Sequence, residues 1–180
     1  MRVVGVDPGL NITGYGVLET ALRGVVLLEG GVVRTARPPR PLEQRLQLIY
    51  QGLSGVLAEF QPDALALEDL YAHRTRPVTA ISMAHARGVV CLAAAEYHVP
   101  VFTYTASQIK SHLTGQGRAT KEQMQRMVQV ALHLPEPPRP ADVADALAVA
   151  LYHCEVGRKG WEVGPGGRVM AVHGREVLPQ

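Results

Sequence analysis

Residues 2–17 have the sequence RVVGVDPGLNITGYGV, and the prediction of the fold starts from this stretch. Its apolar run ends at Asp7, turns through Pro8-Gly9 and resumes as a second strand pattern at Gly14. Proline and glycine favour a tight reversal, so the two runs predict a pair of antiparallel strands. Asp7 would then project from a strand end with backbone amides close by. A structural alternative remains open, in which Asp7 only caps the hairpin turn.

The pattern outward from this stretch predicts an α/β fold. Strands are expected at residues 2–7, 14–19, 25–35, 63–68 and 99–104, with a turn or bulge at Gly30-Gly31, and helices at residues 42–60, 79–97, 106–113, 120–133 and 141–155. Three antiparallel strands followed by strands that alternate with helices indicate a mixed five-stranded sheet flanked by helices on both faces. Residues 1–156 are expected to form one domain, and residues 157–180 a glycine-rich, flexible tail.

The composition limits the class of protein without deciding its function. The chain of 180 residues is 47% apolar and has a net charge of only +2, which permits a nucleic-acid partner but does not indicate one. Its cations are grouped at residues 34–45, 73–76 and 110–121, either as solvated loop faces or as phosphate-binding surfaces. Cys91 and Cys154 have no CxxC spacing, and there is no signal peptide or membrane-spanning run. The sequence therefore predicts buried thiols in a soluble cytoplasmic protein.

Carboxylates occur in apolar surroundings at three separated places in the chain. Asp7 and Glu68 each end an apolar strand pattern, and Asp142 and Asp145 lie three residues apart at the start of an apolar helix pattern. A turn, a strand end and a helix start would each explain one of these acids structurally. An ionised carboxylate in an apolar setting is nevertheless costly unless it is paired, hydrogen-bonded or bound to metal. Converging acids without matching cations therefore suggest a divalent metal site, and oxygen ligands suit Mg²⁺ or Mn²⁺.

Side-chain geometry distinguishes among the neighbouring acids. Adjacent strand residues point to opposite faces of a sheet, so only one of Glu68 and Asp69 can share a face with Asp7, and we expect it to be Glu68. The spacing of Asp142 and Asp145 puts both carboxylates on one helix surface, where they could grip one ion or bracket two. A two-metal carboxylate site is suited to in-line displacement at phosphorus.

The histidines offer weaker candidates for the site. His153 lies two turns after Asp145 in the same helix pattern and could face the same region, but a core role explains it more simply. His85, His112 and His133 are interpreted as structural or surface residues.

Five motifs in order resemble the RuvC family of bacterial Holliday junction resolvases. They are DPGxxxTGYGV at residues 7–17, LEDLY at 67–71, ARG at 86–88, KEQM at 121–124 and ADVADALA at 141–148. Together they cover roughly residues 1–155 in the family's order and spacing, and the tail lies outside the match. The resemblance implies a ribonuclease H-like fold and a homodimer. It also implies magnesium- or manganese-dependent nicking of two opposing strands of a four-way DNA junction.

The resemblance further implies roles for individual residues. The family's catalytic acids match four positions of this sequence, Asp7, Glu68, Asp142 and Asp145. The aromatic residue that stacks on an unpaired junction base matches Tyr71, which keeps the ring face where phenylalanine is common. Basic DNA-contacting positions match Lys110 and Lys121, and Arg74 and Arg76 would extend the same positive surface. By resemblance, the site holds two Mg²⁺ or Mn²⁺ ions per subunit, and the RuvA–RuvB branch-migration complex is a partner.

The resulting hypothesis is a junction-resolving endonuclease. Water activated by metal would attack the scissile phosphate and leave a 5′-phosphate and a 3′-hydroxyl, with Glu68 ligating metal and orienting the nucleophile. Residues 79–97, apolar nearly all round, would supply a two-fold dimer interface as well as core. One alternative is a nuclease for RNA–DNA hybrids, and another is a junction-binding scaffold that does not cut. The intact acids argue against the scaffold, because a pure binder gains nothing from negative charge facing phosphate.

Overall fold

The chain folds into strands and helices in the order that its periodicity predicts. The computed structural model describes residues 1–22, 24–69, 77–157, 161–163 and 169–171. The strands are β1 (Arg2–Asp7), β2 (Ile12–Ala21), β3 (Gly24–Arg34), β4 (Ala64–Glu68), β5 (Val101–Tyr104), β6 (Trp161–Val163) and β7 (Val169–Ala171). The helices are α1 (Leu42–Phe60), α2 (Pro77–Glu96), α3 (Ala106–Thr114), α4 (Lys121–Ala131) and α5 (Ala141–Gly157).

The first five strands form one mixed sheet in the order β3-β2-β1-β4-β5. β1 pairs antiparallel with β2 and parallel with β4, while β2–β3 is antiparallel and β4–β5 is parallel. One buried apolar cluster joins the sheet to α1 and α2, and a second joins its other face to α3, α4 and α5. The predicted mixed sheet with helices on both faces is confirmed.

Alternation along β1 decides which residues face which layer of helices. Val4 and Val6 are buried in the cluster with α1 and α2, whereas Val3 is buried in the cluster with α5. Gly5 and Asp7 follow Val3 at intervals of two, so they face α5 as well. The strand thus delivers one carboxylate to the α5 side at its C-terminal end.

Capping boxes fix where α3 and α4 begin. Thr105 and Thr120 are the N-cap residues, and the side chain of each accepts a hydrogen bond from the backbone N–H three residues later. The glutamines there, Gln108 and Gln123, accept in return from the N-cap backbone. This arrangement satisfies donors that the first helical turn leaves free, and it makes Lys121 the first residue of α4.

The predicted turn or bulge at Gly30-Gly31 is wrong. Both residues pair with β2 as part of a continuous strand, opposite Gly16 and Tyr15, and the register irregularity of this ladder lies farther along. The glycines serve packing instead. A Cβ atom on Gly31 would lie only 2.6 Å from the Oη atom of Tyr15, so a larger residue would displace that ring.

The tail expected at residues 157–180 contains a feature that the sequence interpretation did not anticipate. β6 and β7 form an antiparallel pair in which Trp161 lies opposite Ala171. The pair forms a two-stranded sheet separate from the main one. The helix that precedes this segment, α5, continues to Gly157.

Two observations bear on the predicted thiols and on the membrane. Cys154 is buried as predicted, but Cys91 is only half-buried, because it lies on α2 between the buried Val90 and the exposed Leu92. Among the helices in the described ranges, none combines the length and apolar content that crossing a bilayer requires.

Candidate metal and nucleic-acid site

Asp7 and Glu68 end two neighbouring parallel strands at the same edge of the sheet. The register pairs the residue before Asp7 with the residue before Glu68, and neighbouring strands lie about 4.8 Å apart. The alternate residues of β4 that precede Glu68 are buried in the α5-side cluster, so Glu68 shares a face with Asp7. As predicted, the structure places Glu68, and not Asp69, beside Asp7.

The helix acids reach this edge because β2 has no side chain beneath the first turn of α5. Gly14 is the cross-strand partner of Asp7, and directly opposite residues of an antiparallel pair point to the same side. A Cβ atom on Gly14 would collide with the main-chain oxygen of Asp142, so α5 rests directly on the strand. Gly5 allows a second close approach farther along, where a Cβ atom would collide with Ala146. These contacts bring Asp142 next to Asp7.

Asp145 lies nearly one turn farther along α5 and is paired with a lysine of α4. The Nζ atom of Lys121 is 3.6 Å from Oδ2 of Asp145, and the lysine side chain is 75% exposed against 30% for the aspartate. Lys110 of α3 is also within electrostatic range, because its charge lowers the pKa values of Glu68 and Asp145. Both lysines predicted to contact DNA therefore border the acids.

Electrostatic coupling shows that the acids share one site. Burial and neighbouring negative charge raise the pKa of Asp7 from 3.8 to about 7. Burial is the largest cause, and it is followed by the charges of Asp145, Asp142 and Glu68, which only Lys121 opposes. Asp7 is thus the acid at which the repulsion of the other three is concentrated.

The same forces act on two further members of the set. Burial raises the pKa of Glu68, with the charge of Asp145 as the second cause, while Lys110 and Lys121 act in the opposite direction. The pKa of Asp145 is also raised, mainly by burial, even though Lys121 opposes the shift. Ionised acids are therefore disfavoured here until positive charge is supplied.

The chemistry of the donor set fits a hard divalent cation. Carboxylate oxygens are the ligands that Mg²⁺ and Mn²⁺ prefer. Within the described ranges, no three side chains of Asp, Glu, His or Cys are arranged as a ready-made cage for an ion. Mg²⁺ does not need such a cage, since it usually keeps several waters and is held by one or two carboxylates together with substrate phosphates.

The remaining predicted residues fall outside the acid cluster or outside the described structure. Tyr71, Arg74 and Arg76 belong to a segment that lies outside the described residues. His153 is buried, its Nδ1 atom lies 2.7 Å from the hydroxyl of Tyr104, and burial lowers its pKa to about 4. The core role expected for His153 is confirmed.

Two arginines to which the sequence interpretation gave no such role hold the main chain that carries the strand acids. Arg87 donates from Nη1 to the main-chain oxygen of Glu68 at 2.6 Å and from Nη2 to Oγ1 of Thr103 at 2.8 Å. Arg45 donates from Nη2 to the main-chain oxygen of Leu10 at 2.9 Å, in the loop that follows β1. A sequence signal existed only for Arg87, which lies in the ARG motif, and nothing in that motif indicates the partner.

Comparison with known proteins gives consistent matches over most of the chain. The family model of crossover junction endodeoxyribonuclease RuvC matches residues 3–153. A protein of that name from Rhodopirellula baltica is 48% identical over 149 residues, which cover 83% of this chain and 83% of the relative. Another of that name from Desulforamulus reducens is 43% identical over 169 residues, which cover 94% of this chain and 99% of the relative.

Solved structures agree with the sequence matches. Thermus thermophilus RuvC in complex with a Holliday junction substrate superposes with a TM-score of 0.81 at 40% identity, over 88% of this chain and 95% of that one. A yeast mitochondrial Holliday junction resolvase superposes with a TM-score of 0.53 at 14% identity, which shows a shared fold only.

Proposed function

The chain belongs to the crossover junction endodeoxyribonuclease RuvC family, and we propose that its clustered acids form the metal-holding centre of that activity. As a member of this family, the protein is a ribonuclease H-like nuclease that resolves Holliday junctions in DNA recombination and repair. The proposed metal-holding acids are Asp7, Glu68, Asp142 and Asp145. The observation that carries the proposal is their convergence at one edge of the sheet, where the other three acids raise the pKa of Asp7.

We propose two Mg²⁺ or Mn²⁺ ions per subunit and hydrolysis that leaves a 5′-phosphate and a 3′-hydroxyl. When bound, such ions supply a water nucleophile at neutral pH and stabilise charge on the phosphate oxygens. The chain's own contribution is to hold the ligands rigidly on two strand ends and one helix. The proposed role of Glu68 is to ligate metal and orient the nucleophile, and the hydrogen bond from Arg87 to its main-chain oxygen supports this role by holding the strand end in place. Lys121 balances the charge of Asp145 and is exposed enough to contact a DNA phosphate.

Nicking assays on a synthetic four-way junction test the assignment of the acids. We expect Asp7→Asn and Asp145→Asn each to lower the single-turnover rate on the order of 100-fold or more. Each substitution removes a negative charge that would hold a metal ion, and such an ion stabilises the transition state by several kcal/mol. Asp69→Asn is the matched control, since Asp69 is an exposed acid adjacent to Glu68. Wild-type rates in both folded site variants would disprove the assignment.

The same assay separates the junction nuclease from a hybrid nuclease of the same fold. We expect the wild-type protein to cut the four-way junction and to leave an RNA–DNA hybrid duplex of matched sequence uncut. Preferential cutting of the hybrid would favour the alternative activity.

Because Tyr71, Arg74 and Arg76 are proposed to contact the junction, substituting Tyr71 by alanine is expected to lower junction cutting, since each stacked base contributes about 1–3 kcal/mol.

We further propose that the protein acts as a homodimer through the exposed face of α2. Ile81 and Leu92 are 58% and 53% exposed, and they follow one helical stripe with Ala84 and Gly88. A Cβ atom on Gly88 would meet nothing within 4 Å, so a second helix could approach closely at this point. An exposed apolar stripe of large and small residues suits an interface in which both subunits use the same surface.

Light scattering tests the dimer. Leu92→Arg is expected to yield a monomer and to uncouple the paired nicks, because it puts charge into the apolar stripe. Val130→Arg is the matched control, since Val130 of α4 is 64% exposed and lies off this helix. The proposal fails if Leu92→Arg remains dimeric at micromolar concentration. The RuvA–RuvB complex is a proposed further partner, and the cytoplasm is the proposed location.

A further inference from the structure

A cavity of about 320 Å³ opens beside the acid cluster, and it has no part in the function proposed above. Its walls come from the loop between β1 and β2, from α1, from the N-terminal part of α2 and from the start of α5. Asp142 is a lining residue, so the cavity borders the acid site. This volume is near the lower end of the range for small-ligand sites, which fits one nucleotide and not an extended strand.

Arg45 places a fixed positive charge in the wall of this cavity. Its Nε atom donates to Oγ1 of the buried Thr35 at 3.4 Å, and its Nη2 atom donates to the main-chain oxygen of Leu10 at 2.9 Å and to Oδ1 of Asn11. These bonds immobilise the guanidinium. Within the described part of the chain, Arg45 is in no ion pair, and its Nη1 atom makes no hydrogen bond.

We propose that this cavity is a subsite for a nucleotide of the strand being cut, adjacent to the scissile phosphate, and that Arg45 binds its phosphate group. A fixed guanidinium with free N–H donors is suited to a phosphate, because its planar fork is already oriented and it stays charged at every relevant pH. Leu10 and Met83 supply apolar wall against which the sugar and base can pack. Since the location of the cut strand follows from the acids, the inference rests on the proposed metal-holding role of Asp142.

The structure also gives Arg45 a positioning role, and the experiment must separate the two. Binding to a four-way junction is measured without divalent metal, so that the DNA stays intact and the result does not depend on whether the acids hold metal. For Arg45→Met we expect about tenfold weaker binding, as for loss of a charge-assisted contact. The slope of log affinity against log salt is also expected to fall in magnitude by about 0.9, as for one lost phosphate contact.

Two further variants separate the phosphate contact from the loop contact. Thr35→Val removes a partner that holds the guanidinium but keeps the charge, so the salt slope is expected to stay at its wild-type value. Thr79→Trp fills the cavity from its exposed rim without touching the bonds of Arg45, and we expect it to weaken junction binding. The subsite is refuted if Arg45→Met leaves the salt slope unchanged. It is also refuted if a folded Thr79→Trp protein binds the junction with wild-type affinity.

Discussion

Replacing Gly14 by alanine tests the idea that the acid cluster exists because α5 rests on bare backbone. Gly14 lies opposite Asp7 in the β1–β2 ladder, and an alanine Cβ atom there would be 2.1 Å from the main-chain oxygen of Asp142. Real Cβ atoms essentially never lie within 3.0 Å of such an atom, and ordinary van der Waals contacts lie at 3.4–4 Å. The obstacle is the backbone of the helix and cannot rotate away, so the first turn of α5 must move by about 1 Å or more.

The size of the expected effect follows from that displacement. Overpacking of this kind typically costs about 1–3 kcal/mol of folding free energy. A misplacement of about 1 Å in a catalytic group can cost about 100-fold in rate, because the reacting groups no longer lie in the productive geometry. We therefore expect Gly14→Ala to lose about 100-fold in single-turnover junction cutting while the protein remains folded at the assay temperature.

Gly16→Ala is a control on the same strand and the same face. Its Cβ atom would be 2.3 Å from Cδ2 and 2.8 Å from Cγ of Leu147, which are side-chain atoms and can shift without moving the helix backbone, whose Cα atom lies 3.5 Å away. We expect a stability loss of similar size or smaller and cutting within several-fold of wild type, because the first turn of α5 is not displaced. Urea denaturation supplies the stability, and a Mg²⁺ titration of the cutting rate shows whether metal affinity has changed.

A folded Gly14→Ala protein that cuts within about threefold of wild type would refute this account, since the reasoning requires a displaced Asp142. Equal loss of activity in Gly14→Ala and Gly16→Ala would refute it as well. In that case general loosening of the packing, and not the position of one carboxylate, would control the rate.

Three further predictions concern stability and positioning. Gly55→Ala in α1 should raise the free energy of unfolding by about 0.5–1 kcal/mol in urea titrations, because Gly55 is exposed, helical and has no atom within 4 Å of an added Cβ; destabilisation would contradict the packing described. In metal-free protein, Asp7 should contribute a loss of stability as the pH rises from about 4 to about 7, since its folded pKa lies above its unfolded value; the lowered pKa of buried His153 acts in the opposite direction, so the contribution of Asp7 is measured as the difference between wild type and Asp7→Asn. Asp7→Asn should remove this contribution and stabilise the metal-free protein at pH 8 by on the order of 3 kcal/mol relative to wild type, and a pH profile identical to that of wild type would show that Asp7 does not titrate in this range. Arg87→Lys should lower the cutting rate about 10–100-fold with little change in junction affinity, because it loosens the main chain of Glu68, whereas Thr103→Val removes only the bond to β5 and should have a smaller effect.

Much of the fold was predictable because it depends on local patterns. Apolar alternation marked the strands, and a spacing of three and four residues marked α1, since burial of one face of each element leaves that imprint on the sequence. The choice of Glu68 over Asp69 was predictable for the same reason, because it depends only on alternation from the buried residues before it. These inferences needed no knowledge of which elements touch.

The contacts between elements were not predictable from such patterns. A glycine in the sequence looks the same whether it forms a turn or allows a neighbouring element to pack closely, as at positions 14, 30 and 31. The interpretation as a turn was wrong at Gly30-Gly31. Which of the two applies depends on what packs above the strand, and α5 is more than 100 residues away along the chain. The hydrogen bonds of Arg45 and Arg87 could not be predicted for the same reason, since nothing in the local sequence distinguishes an inward-facing arginine from a solvated one.

The charged residues around the acids have different roles, which explains why the site can be rigid and still bind a polyanion. Arg45 and Arg87 donate hydrogen bonds to main-chain oxygens on the segments that carry the acids, so they help fix the geometry next to Asp7 and Glu68. Lys121 is the exposed cation, and its pairing with Asp145 spans 3.6 Å at the surface, where such a pair is weak and readily exchanged. Four acids at one edge would repel phosphate, and burial already makes the ionisation of Asp7, Glu68 and Asp145 costly by raising their pKa values. Divalent metal and DNA should therefore bind with positive coupling. The metal neutralises the acids and so reduces their repulsion of the DNA, and the phosphate completes the coordination of the metal.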